Sequence, residues 1–172
     1  MKLKLVLAIL SISVILAGCG QDASSNENDV DIKQLVKDYS TDEITEGSAS
    51  ITSEQLITQD PDGNEQVYDL PEDEFFVSIA PYVNQTHPCA NHSLTGCQGE
   101  MAEETFDVYI EDQDGNVMVD EEVEAFKNGF FDLWLPRDRT YNVTIKHGNK
   151  VVEQEVSTFE SDGTCITTMQ LS

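Results

Sequence analysis

The chain is 172 residues long and carries 33 acidic against 9 basic side chains, a formal net charge of −24 at pH 7. That imbalance excludes a nucleic-acid binder, because phosphate is repelled, and it excludes polybasic attachment to an anionic membrane surface. Apolar residues at 39% and aromatics at 8% support one modest core, and the length is too short for two large domains.

Residues 1–18 read as a targeting segment. Lys2 and Lys4 form a short basic start, residues 5–16 are apolar apart from Ser11 and Ser13, and Ala17-Gly18-Cys19 follows at once. This apolar run is shorter than the roughly 20 residues a bilayer-spanning helix needs, and it ends in small residues as signal peptides do. Leu16-Ala17-Gly18-Cys19 resembles the bacterial lipobox, which implies lipidation at Cys19 and an anchor on the outer side of the cytoplasmic membrane. The alternative is a plain secretory peptide with an incidental cysteine. Loss of residues 1–18 makes the mature chain more acidic still, and its cysteines then face an oxidising or copper- and zinc-exposed compartment. The acidity itself reads as a solvated face rather than a site.

Residues 19–29 are small and polar without periodicity, a lipidated flexible tether. Within 30–47, Val30, Ile32, Leu35 and Val36 fall at helical spacing, and Asp31 is placed to help the first turn, which predicts a short helix over 31–39. From 48 to 172 the period becomes that of strands. Runs at 49–52, 56–58 and 65–70 flank Asp60-Pro61-Asp62-Gly63-Asn64, a turn in which proline presets φ and glycine takes the positive φ. Residues 75–80 form a more apolar strand. Phe106, Val108 and Ile110 alternate before the turn Asp112-Gln113-Asp114-Gly115-Asn116, and strands follow at 117–119, 129–135, 141–145, 151–156 and 165–171. Short strands with a turn signal every ten or so residues predict a mainly β chain, an antiparallel β-sandwich with a short N-terminal helix. The Asp-Gly-Asn hairpin and the Gly129-to-Pro136 strand resemble prealbumin-like sandwich domains.

Between the two β regions, 86–101 is unlike either. It holds Cys89 and Cys97 with His87 and His92, and Cys165 waits near the end of the chain beside Met169. Three chemistries compete. The plainest is a disulfide, within the loop or to Cys165, with one thiol left over. A zinc site of three thiolates and an imidazole is disfavoured, since seven residues separate the first cysteine pair instead of the usual close knuckle. Cu(I) is soft and favours thiolates with imidazole or thioether nearby, which suits Cys89, Cys97 and Cys165 with His87, His92 and the further donors Met101 and Met169. His87 and His92 stand level, one of them serving as an outer partner, and a strand methionine more often belongs to the core. His147 lies in a Gly-Asn turn and reads as surface. Glu100 and the Asp-rich turns lack the remaining ligands of a calcium loop, so hairpin turns are the better reading. No nucleophile–base pair or phosphate-cradling loop is evident, so an enzyme is expected only if the cysteines are redox-active.

Phe75 to Tyr82, then Thr86-His87-Pro88-Cys89, then His92 to Glu100, and Gly163 to Leu171 at the end resemble the CueP family of periplasmic copper-binding proteins. The resemblance implies a metal held by Cys89, Cys97 and Cys165 with histidines nearby, and copper tolerance or storage in the envelope. It also implies copper delivery to a copper/zinc superoxide dismutase in some members, and reduction of Cu(II) by the cysteines, recycled by a thiol reductant. The lipobox departs from the family archetype, which is soluble. The oligomeric state, including a homodimer, stays open, as do the recipient of the copper and the identity of the cysteines that pair. The alternatives are a surface lipoprotein whose cysteines are only a staple, and a zinc-binding protein.

Overall fold

The computed structural model describes residues 30–172. The expected signal peptide, Cys19 and the tether at 19–29 lie outside the described residues. The helix is α1, Ile32–Ser40. Asp31 caps it, its carboxylate accepting the Gln34 N–H at 3.1 Å and satisfying a donor the first turn leaves open. The spacing read from the sequence puts Val36 at 1% exposure, with Ile32, Leu35 and Tyr39 packed beside it.

The strands form three sheets. In the first, β1 (Ser48–Ile51), β2 (Gln55–Gln59), β3 (Glu65–Asp69) and the two-residue β5 (His92–Ser93) run antiparallel in the order β3-β2-β1-β5. The second, also antiparallel, holds β6 (Thr105–Asp112), β7 (Val117–Glu124), β9 (Thr140–His147) and β10 (Lys150–Ser157) in the order β10-β9-β6-β7. The third is β11-β4-β8, from β4 (Glu74–Ile79), β8 (Phe131–Pro136) and β11 (Cys165–Ile166). The mainly β architecture with one short helix is the one the sequence predicts.

Both Asp-rich segments are hairpin turns. Asp60 and Asp112 each accept the backbone N–H groups two and four residues on, and Gly63 and Gly115 supply φ of +87° and +82°. Each carboxylate is thereby held below its usual range, chiefly by hydrogen bonds from Asn64 and Asn116.

β4 explains why 75–80 is apolar at nearly every position: both of its faces are covered. Phe75, Val77 and Ile79 meet Phe106, Ile110 and Tyr141 of the second sheet in the main core. On the opposite face Phe76 meets Val36, Ile51 and Leu56, with Trp134 edge-on at 5.2 Å.

Two details depart from simple alternation. β11 pairs with β4 in parallel, Cys165 opposite Ser78 and Ile166 opposite Ile79. Period-two patterning reports which face a residue occupies and says nothing of which strand lies beside it. The closing strand expected over 165–171 is regular only through Ile166, yet its alternation persists: Thr167, Met169 and Leu171 are buried while Thr168 and Gln170 are exposed.

Candidate metal centre

The 80–101 connection between β4 and β6 folds back over the third sheet, and four separate attachments fix its course. β5 pairs with β1, placing His92 opposite Ile51. The His92 backbone N–H donates to the Thr164 hydroxyl at 2.9 Å, and that hydroxyl donates to the Ile51 carbonyl at 2.7 Å, so the residue before Cys165 is tied to the residue opposite His92. The Cys165 N–H donates to the Ala90 carbonyl at 3.0 Å, an approach open only because residue 163 is glycine: a Cβ there would sit 2.6 Å from the same oxygen. The Gly99 N–H donates to the Asn128 carbonyl at 2.6 Å, with Gly99 and Gly129 back to back.

Glu100 latches the two arms of the connection. Its carboxylate accepts the Val83 N–H at 2.6 Å, the Asn84 N–H at 2.8 Å and the Asn84 side-chain amide at 3.0 Å, which holds its pKa down at about 2. Thr86 and Thr167 bind the His87 arm to the chain after β11, the Thr86 hydroxyl donating to the Thr167 carbonyl and the Thr167 hydroxyl to the His87 carbonyl.

The outcome is one cluster: Cys89, His92, Cys97 and Cys165, whose ligand atoms all lie within 4.8 Å of one another. Cys89 and Cys165 are joined in a disulfide, and Cys97 is a free thiol with its Sγ 3.6 Å from that of Cys89. Ala80 and Phe130 form the apolar floor. His92 is fully buried, and neither Nδ1 nor Nε2 has a hydrogen-bond partner. An imidazole taken from water without partners carries a desolvation cost, so a buried orphan calls for an explanation. Burial, and secondarily the charge of His87, push its pKa down to about 4, leaving it neutral with a lone pair to offer at neutral pH. With the Cys89–Cys165 bond open, three sulfurs and the unpartnered imidazole nitrogen of His92 would together suit a soft metal ion.

The other candidate residues lie elsewhere. His92, one of the two histidines the sequence offered, lies beneath the surface, its ring centroid 4.5 Å from that of Phe130. His87 stands outside the four-residue cluster, half-buried, with its ring 6.3 Å from the same phenyl. Met101 and Met169 belong to the main core. His147 is half-buried at the end of β9, its Nδ1 2.9 Å from the Thr105 carbonyl and Nε2 3.7 Å from Glu104. Sequence reasoning gave no part in the site to Thr164, Phe130, Gly99, Gly129 or Gly163, because each acts through a contact distant in the chain.

The family model described as "Periplasmic copper-binding protein CueP" matches residues 31–170. Among solved structures, one described as "Crystal Structure of S.CueP" is 35% identical, superposes with a TM-score of 0.77, and is matched over 82% of this chain and 88% of its own. No curated protein matches this chain. Fold, cluster and family agree, and the chain belongs to the CueP family of periplasmic copper-binding proteins.

Proposed function

We propose that this protein captures copper outside the cytoplasm, as Cu(I), through the thiolates of Cys89, Cys97 and Cys165 with His92 as the fourth donor. The observation that carries the reading is the buried, unpartnered imidazole of His92 within 4.8 Å of three sulfurs. Soft thiolates at low coordination number favour Cu(I), and the name of the family supports copper over zinc. His87, just outside, is an outer partner. Three thiolates exist only when the Cys89–Cys165 bond is open, so capture and redox state are linked. Oxidation of the Cys89 and Cys165 thiols supplies two electrons, reduces two Cu(II) to Cu(I), closes the disulfide and releases two protons. A thiol reductant outside the chain then reopens it. Lipidation at Cys19 would hold the domain at the membrane, and a copper/zinc superoxide dismutase is one recipient the family resemblance suggests.

The decisive test titrates the reduced protein with Cu(II) under anaerobic conditions while free thiols and a Cu(I)-specific chelator are followed. Two thiols lost per two Cu(I) formed, with copper retained, supports capture with reduction. Retention of supplied Cu(I) with no thiol loss under Cu(II) leaves a buffer or chaperone. No copper retained in either arm overturns the reading and leaves the disulfide as a staple, the role the Cys89–Cys165 bond would serve by itself.

A further inference from the structure

Asp132 is a titratable group that copper capture leaves without a role. It lies on β8, half-buried, opposite Ser78 of β4. The Ser78 hydroxyl donates to one carboxylate oxygen at 2.6 Å, and the Ser40 hydroxyl, from the end of α1, donates to the other at 2.5 Å. No ion pair engages it among the described residues. Burial pushes its pKa up to about 6, against the opposing pull of the two serines.

Its position connects two places. On one side Asp132 lines a cavity of about 380 Å³ between α1 and β8, with Lys33, Lys37, Asp31 and Trp134 around it. Lys33 is engaged there by Glu74 and stacks over Trp134. On the other side Ser78 is the register partner of Cys165. Asp132, Ser78 and Cys165 therefore form one row across three strands. Register partners share a face, and neighbouring strands lie about 4.8 Å apart. Ser78 is fully buried and Cys165 is 5% exposed, so bulk water has little direct access to either side chain.

We propose that Asp132, through the Ser78 hydroxyl, is the proton relay for the Cys165 thiol whenever the Cys89–Cys165 disulfide opens. Cys89 is the more exposed of the two sulfurs and takes the attack. An incoming thiolate bonds to Cys89 Sγ, the Cys89–Cys165 bond breaks, and its electron pair departs on Cys165 Sγ. Ser78 passes its hydroxyl proton to that sulfur while accepting the Asp132 proton. The products are a mixed disulfide at Cys89, a neutral thiol at Cys165 and a carboxylate at Asp132, which reprotonates from the cavity. When thiols are oxidised or loaded with metal, the proton retraces the same path. The relay deepens the redox side of the proposed function and rests on Cys165 cycling between disulfide and thiol.

The test follows reduction of the oxidised protein by dithiothreitol between pH 4.5 and 8, without copper, with each rate divided by the thiolate concentration of the reductant. General acid assistance commonly contributes about 10²–10⁴ in rate. The normalised rate should fall at least about tenfold as pH rises through 6. Asp132→Asn keeps the hydrogen-bond acceptor but cannot ionise, and Ser78→Ala interrupts the row while leaving the carboxyl in place; both profiles should be flat and slow. If Asp132→Asn fails to fold, Ser78→Ala decides alone. His92 titrates near 4, below the step, and His87→Gln removes the other imidazole near the disulfide. A step that survives in Asp132→Asn or Ser78→Ala, or that vanishes in His87→Gln, overturns the proposal. Because no copper is present, such a failure is distinct from a failure of copper capture, which the metal titration reads separately.

Discussion

The Sγ of Cys97 stands 3.6 Å from that of Cys89, whose own bond runs to Cys165. A free thiol thus sits within reach of a disulfide in the same cluster, and the oxidation state of that bond sets how many thiolates a metal can find. Oxidised, the cluster offers one thiol and one imidazole; reduced, it offers three thiols and the imidazole.

The cysteines should therefore separate by role. Cys97→Ser should lower Cu(I) affinity of the reduced protein at least tenfold, while shifting copper-free stability by no more than about 0.5 kcal/mol, since no bond of the fold depends on that sulfur. Cys165→Ser opens a closed loop with a sequence separation of 76 and should cost about 2–4 kcal/mol in non-reducing buffer. Chemical unfolding with and without reductant, alongside competition with a Cu(I) chelator, checks both.

His92 and Asp132 give stability opposite dependences on pH. Burial depresses His92 from 6.5 to about 4, so its contribution is complete above 6.5 and is lost as pH falls through 4. Burial raises Asp132 from 3.8 to about 6, so its contribution is complete below 3.8 and is lost as pH rises through 6. Each is on the order of 3 kcal/mol, and between pH 4 and 6 they largely cancel. His92→Leu should leave stability that declines over that window, and Asp132→Asn stability that climbs over it. Denaturant midpoints at pH 4, 5 and 6 read the slopes. His92→Leu should also weaken copper binding without weakening the copper-free fold at neutral pH, because an apolar side chain replaces an unpartnered polar one.

Gly99→Ala should disturb the cluster from a distance. Its Cβ would meet the Gly129 carbonyl oxygen at 2.6 Å, backbone against backbone, and the N–H bond to Asn128 would have to yield. A cost of about 1–3 kcal/mol is expected, with weaker copper binding, because the displaced segment carries Cys97. Urea unfolding and copper titration of the one variant should move together; a stable variant with intact affinity would show that the close approach is dispensable.

Glu100→Gln should loosen the connection without unfolding the protein. Hydrogen bonds from Asn84 and Val83 hold the carboxyl down at about 2, so mild acid leaves the latch in place and its loss requires substitution. Hydrogen exchange at the Val83 and Asn84 amides should accelerate in the variant and stay slow in the parent at pH 4. Amides in β4 should be unaffected, which separates a local opening from a global one.

Much of the architecture could be read from the chain because it depends on local rules. The spacing of Val36 among its neighbours and the capping position of Asp31 specify α1. Asp-Gly turns specify the hairpins, and the unbroken apolar run at 75–80 announces a strand covered on both faces. The crowding of His87, Cys89, His92 and Cys97 marked the candidate site, because cysteine and histidine are too scarce here to gather by chance.

What the sequence by itself determined was composition, period and proximity along the chain: a β-rich, strongly acidic domain with a soft-ligand cluster and the residue motifs of its family. Only the tertiary structure decided which sulfurs bond, that His92 rather than His87 lies among them, that both methionines serve the core, and that Asp132 stands two strands from Cys165. Those outcomes turn on contacts between distant parts of the chain, 76 residues apart at the Cys89–Cys165 bond, where pairing is chosen by the closure of three sheets on one another. Burial, which turned His92 into a free ligand and Asp132 into a weak acid, exists only once those sheets have closed.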